Sequence, residues 1–194
     1  MQTINPIADR SPNQWLQSYY FLRAGVSIAW IILAVAVGKG NPAIGAALLV
    51  AYPAWDAFAN YLDARRSGGL GANRPQQFNF IVSVIVAIAI GWALTIGMSN
   101  AIKVFGGWAI FAGLLQLATG VKRWKTSGGQ WAMVLSGAQS ALAGAFFFKQ
   151  AGSGIALDVT TVAPYAGFGA FYFLVSAIWL VVRNARQRSA KLVP

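Results

Sequence analysis

The chain has no cysteine and no histidine, and Asp and Glu together number four in 194 residues. All four are aspartates, at positions 9, 56, 63 and 158. Lack of cysteine excludes disulfides, thiol nucleophiles and thiolate metal sites. Lack of histidine and glutamate leaves the aspartates as the only ordinary candidates for proton transfer or metal ligation. Charge is scarce altogether, with 10% charged residues against 57% hydrophobic. That is too little polar surface to cover a soluble globule of this length.

What the chain has instead is long apolar runs. Six of them approach the roughly 20 residues that cross a bilayer as a helix, over 17–37, 42–62, 78–98, 103–121, 131–149 and 163–182. Lipid offers the backbone no hydrogen-bond partner, so continuous runs without strict alternation predict helices and argue against a barrel. The expected fold is therefore an all-α integral membrane protein of six transmembrane helices in a single domain, 1–194.

A net charge of +11 in a soluble chain would suggest nucleic acid. Here the basic residues follow the loops rather than one face, and no nucleic-acid partner is expected. One side receives Arg10, Arg23, Arg65, Arg66, Arg74, Lys122, Arg123, Lys125, Arg183, Arg186, Arg188 and Lys191; the other receives Lys39, Lys103 and Lys149. By the positive-inside rule both termini are expected in the cytoplasm. A small-x-small triplet in "AVAV", 34–37, makes a signal peptide the rival reading of the first run. Its length of about 20 residues and its weakly basic flank favour a retained membrane helix.

The chain resembles itself at a displacement of 60 residues: "RRSGGLG", 65–71, matches "KTSGGQW", 125–131. Phe111 and Phe171 correspond, as do Gly107 and Gly167, while Asp56, Gln116 and Ser176 fall on equivalent positions of the second, fourth and sixth runs. Three tandem helical hairpins of one pattern, roughly 15–66, 77–125 and 130–188, are expected. Residues equidistant from a tight turn lie at similar depth in two antiparallel helices. A first turn at "GKGNP", 38–42, then sets Asp56 opposite Arg23. A second, centred between Ser99 and Asn100, sets Gln116 opposite Ser83, and the third sets Ser176 near Ser136. An isolated charge in the middle of a membrane helix costs about 2.5–3.5 kcal/mol, so Asp56 is expected to pair with Arg23.

"FLRAGVSIAWIILAVAV", a short turn and "LLVAYPAWDAFANYL" together resemble the repeat of the HdeD-like family of bacterial inner-membrane proteins. Arg23 and Asp56 match an Arg near the start of the first helix and an Asp late in the second. Ala24 and Ala57 depart from the glycines usual beside them. The resemblance implies a six-span inner-membrane protein without an established activity, with a link to acid or general stress in one branch.

The four aspartates are expected at separate places, so no acid–base pair or metal site assembles, and the chain reads as a non-enzyme without cofactor. "GGLGANR", 68–74, lacks the third glycine and preceding strand of a dinucleotide loop. "KRWK", 122–125, and "RNARQRSAK", 183–191, set topology and attract anionic lipid. Trp15, Tyr19, Trp124 and Trp131 suit an interfacial belt. Ala132, Ser136, Ser140 and Gly144 form a stripe, widened by Gly137, Ala141 and Ala145, that permits close helix approach within the bundle or at a homo-oligomer interface. Gln139 shares that helix.

Two functions fit these residues. One is a non-enzymatic protein with an envelope or stress role, whose polar residues hold helices together around a dry interior. The other is a small transporter or channel in which Arg23, Asp56, Ser83, Gln116, Gln139 and Ser176 line a wet cavity. A subunit that recruits a soluble partner through its basic loops is a third.

Overall fold

A computed structural model of the chain describes residues 12–123 and 130–190. Of the positions singled out above, Asp9, Arg10, Trp124, Lys125 and Lys191 lie outside this range, as do the side chains of Lys122, Arg123, Trp131, Ala132 and Arg188. The described residues are helical, with six long helices and no strand: α1 Pro12–Leu33, α2 Pro42–Arg66, α3 Arg74–Ile96, α4 Met98–Arg123, α5 Gln130–Gly152 and α6 Ala163–Ala190. A π-helical turn, Ala34–Gly38, continues α1, and short 3₁₀ turns, Leu70–Ala72 and Val159–Val162, precede α3 and α6. Among the described residues five segments are long and apolar enough to cross a membrane: Gln14–Gly38, Pro42–Arg66, Arg74–Ile96, Met98–Ala118 and Val159–Arg186. The fifth helix, rich in Gly, Ala, Ser and Gln, is not among them.

Local chemistry explains where the helices begin and turn. Asn41 caps α2, its Oδ1 accepting from the backbone N–H of Ala43 at 3.1 Å and Ile44 at 3.2 Å, and Pro42 supplies a first residue that needs no donor. Between α3 and α4 the connection is Gly97 alone, at φ +150°, a conformation that strongly favours glycine. That corrects the second turn expected from sequence, which was placed between Ser99 and Asn100. Gly97 reverses the chain before those polar residues, which instead form the first turn of α4.

Contacts divide the chain into two compact units: residues up to Ala29 together with those from Ala166 on, and Trp30–Tyr165. In the larger unit α4 and α5 run antiparallel with their backbones nearly touching. A methyl group built on Gly113 would lie 2.5 Å from the Gly137 carbonyl oxygen and 2.6 Å from the Ala141 nitrogen; one on Gly106 would lie 2.9 Å from the Gly144 carbonyl oxygen. One on Gly144 would strike the Gly106 carbonyl and the Ile110 backbone nitrogen. Gly106 and Gly113 are one heptad apart on α4, and Gly137 and Gly144 one heptad apart on α5, so the close approach repeats along one seam. The small-residue stripe expected on the fifth helix thus has its partner in α4, within the unit.

Beside this seam sits a cluster of rings. Phe105, fully buried, meets Trp108, Phe147 and Tyr165 edge to face with centroids 5.3, 5.7 and 5.5 Å away, and Tyr52 at 5.8 Å. Trp30 packs on Tyr52 at 5.1 Å and its indole N–H donates to the Leu48 carbonyl at 2.8 Å. Pro53, buried inside α2, removes the N–H that would serve the next carbonyl, Leu49, so the indole anchors the helix where its own ladder is interrupted. Outward, the helices present large apolar side chains: Ile88 and Trp92 on α3, Leu142 on α5 and Trp179 on α6 are each about 70% exposed. A soluble protein rarely shows so much apolar surface; a helix in lipid does.

Candidate functional site

The polar side chains inside the apolar helices gather in three places. The first is the seam between α2 and α3. One carboxylate oxygen of Asp56, Oδ2, accepts from the Ser83 hydroxyl at 2.8 Å and from the Asn60 amide at 3.1 Å; that amide also donates to the Asp56 carbonyl at 2.8 Å. Ser83 is 1% exposed and Asn60 7%. One heptad closer to the loop, Gln76 on α3 donates to Asp63 on α2 at 3.0 Å. Asp56 with Ser83 and Asp63 with Gln76 are therefore two rungs of one ladder. A carboxylate oxygen accepting two donors is a charge-assisted arrangement, and it lowers the cost of keeping Asp56 in an apolar segment.

If the rung at Asp56 holds the two helices, Ser83→Ala and Asp56→Ala should not act independently. Ser83→Ala is expected to cost about 1 kcal/mol. A double-mutant cycle, read from unfolding of the purified protein, should give a coupling of about 0.5–1.5 kcal/mol. Additive losses would mean that the 2.8 Å contact contributes nothing.

The second place is the α4–α5 seam. The Gln116 amide donates to the Ser136 hydroxyl. One helical turn further along α5, Ser140 donates to the Ala109 carbonyl at 2.9 Å and lies 3.1 Å from the Tyr165 hydroxyl. Gln139 is half-buried on the same helix. The third place is in the smaller unit. Arg23, on α1, has its guanidinium 4.3 Å from the centre of the Phe173 ring and 5.8 Å from that of Tyr19, and donates to the Tyr19 hydroxyl at 3.2 Å. Tyr20 stacks on Phe173 at 6.1 Å. Ring faces carry negative charge density, so the aromatic residues partly replace the water a guanidinium would otherwise hold. Ser176, on α6, is half-buried in this unit.

The structure thus brings Asp56 to Ser83 and Gln116 to Ser136. From the sequence, Gln116 is set at the depth of Ser83 in the second hairpin and Ser176 at that of Ser136 in the third. The two contacts join neighbouring hairpins, α2 with α3 and α4 with α5. Arg23 and Asp56 belong to different units. Asn60, Tyr165 and Phe173 were missed. Asn60 had a readable signal, since it stands one helical turn after Asp56 and can reach back to it. Phe173 had none, because nothing local to it refers to Arg23.

The three described aspartates each accept a hydrogen bond: Asp56 and Asp63 as above, and Asp158 from the Thr160 backbone N–H at 2.7 Å, which starts the 3₁₀ turn before α6. Among the described residues no three Asp, Glu, His or Cys side chains come together as a metal site would require.

Long apolar helices, lipid-like outer faces and internal polar contacts define an all-helical protein of the membrane class. No family model, curated protein or solved structure matches the chain.

Proposed function

We propose that the chain is a non-enzymatic, six-span protein of a bacterial inner membrane, HdeD-like, with both termini in the cytoplasm and an acid- or envelope-stress role. Its intramembrane polar residues serve as clasps between helices. The observation that carries this reading is the pairing itself: Asp56 with Ser83, and Gln116 with Ser136, join neighbouring helices. The placement of Arg65, Arg66 and Arg74 around the α2–α3 loop supports a cytoplasmic position for that loop by the positive-inside rule.

Because the chain has no cysteine, its topology can be tested with single introduced thiols. Ser67→Cys, in the α2–α3 loop, should react with a membrane-impermeant maleimide only in inverted vesicles. Ser153→Cys, after α5, should react only from the opposite face. Labelling of both from one face would overturn the proposed topology. For the stress role, cells lacking the chain should survive transfer to low pH less well than cells in which it is restored; equal survival would remove that role.

A further inference from the structure

Alongside the Asp56–Ser83 ladder, α2 and α3 leave an open groove of about 260 Å³ whose lining is almost wholly apolar. The buried Ala57 and Ala87 keep the helices' contact line small, while Phe58, Tyr61, Phe80 and Ile88 rise around it. On α2 the groove runs from Ala54 to Tyr61, about 10 Å at the helical rise per residue. Tyr61 and Phe80, with ring centroids 6.3 Å apart, stand at the end nearest the α2–α3 loop.

The loop end is where the charge lies. Arg65, one turn beyond Tyr61, is exposed and its guanidinium sits 5.9 Å from the Tyr61 ring centre. Arg74, also exposed, opens α3. The loop between them is fastened by Asn73, whose side-chain amide donates to the carbonyls of Ser67 at 2.5 Å and Gly69 at 3.2 Å. That keeps the last turn of α2 beside the first turn of α3. The one acid nearby, Asp63, accepts from Gln76. An apolar slot with cationic side chains at one end matches a molecule that is apolar along its length and anionic at its tip.

We infer that this groove binds one acyl chain of an anionic phospholipid, with Arg65 and Arg74 holding the phosphate-bearing headgroup. The inference rests on the bilayer reading of α2 and α3, and on neither the family resemblance nor the stress role. In a bilayer every lipid can offer an acyl chain to the groove, so the arginines must supply the selectivity.

The test uses the full chain, purified in detergent and stripped of lipid, titrated with dioleoyl phosphatidylglycerol or dioleoyl phosphatidylcholine and read by native mass spectrometry. The two lipids share their acyl chains and differ in headgroup charge. Phosphatidylglycerol should be retained about tenfold more tightly. Arg65→Gln with Arg74→Gln, both at exposed positions, should bring the two lipids to within about twofold of each other. Ala54→Phe, exposed at the far end of the groove, should weaken retention of both. Millimolar inorganic phosphate should displace neither lipid. Equal retention by the parent protein, a preference that survives the arginine substitutions, or an Ala54→Phe protein that binds unchanged would each overturn the inference. A protein that inserts into lipid and unfolds cooperatively yet shows no preference would lose the groove assignment and keep its membrane reading.

Discussion

Gly144→Leu is expected to abolish the folded protein. A side chain at Gly144 would strike the Gly106 carbonyl and the Ile110 backbone nitrogen, 2.8 Å from a built methyl, neither of which can turn aside as a side chain could. Relief requires α4 and α5 to separate along their whole seam, with loss of the Gln116–Ser136 and Ser140–Ala109 contacts. Overpacking a tight core costs about 1–3 kcal/mol where side chains can adjust, and backbone contact on both sides should exceed that. Against a total stability of about 5–15 kcal/mol, the variant should lose its monodisperse species in detergent at ambient temperature. Gly107 is the control: it neighbours Gly106 and has nothing within 4 Å of a built methyl. Gly107→Ala should be neutral or stabilising by up to about 1 kcal/mol, since alanine is the better helix former. Equal tolerance of both substitutions would mean that α4 and α5 do not approach as described.

The next largest effect is expected at Phe105. It is fully buried and touches Tyr52, Trp108, Phe147 and Tyr165, so its ring joins α2, α4, α5 and the start of α6. Phe105→Ala removes these contacts and leaves a cavity that rings on three other helices cannot jointly fill. The expected cost is about 3–5 kcal/mol, seen as a large fall in the midpoint of thermal unfolding. Within a membrane the gain from leaving water is reduced, but dispersion contacts and the cavity penalty remain. Phe105→Leu should recover roughly half of the loss. A loss below about 1 kcal/mol for Phe105→Ala would mean the ring cluster is loosely packed.

The class of the protein was legible because it depends on totals and on run length, which need no tertiary information. Helix positions followed the same way, and the first turn was marked by Gly38, Gly40, Asn41 and Pro42. The second turn was misplaced because Ser99 and Asn100 look like loop residues, whereas Gly97 reverses the chain by itself. Depth within a hairpin predicted which residues share a level and not which helix each faces, and facing decides hydrogen bonds. The contacts between α2 and α3 had a trace in the sequence. Asp56 and Asp63 are spaced by a heptad, as are Gln76 and Ser83, and this shared spacing is the mark of two helices joined along one seam. The fifth helix's stripe of small residues was visible, but its partner became clear only once Gly106 and Gly113 were seen to repeat at the same heptad on α4.

The central claim is that the polar residues inside these helices hold helices together, away from water. Ser83→Cys tests it most directly, because Ser83 is 1% exposed, bonds to Asp56, and would be the sole thiol in the chain. In membrane vesicles of either orientation this thiol should stay unlabelled by a membrane-impermeant maleimide, and should react fully once the protein is denatured, while Ser67→Cys reacts at once from one face. Labelling of Ser83→Cys in intact vesicles at a rate comparable to Ser67→Cys would place water beside Asp56. The clasp reading would then give way to a wet, transport-like path.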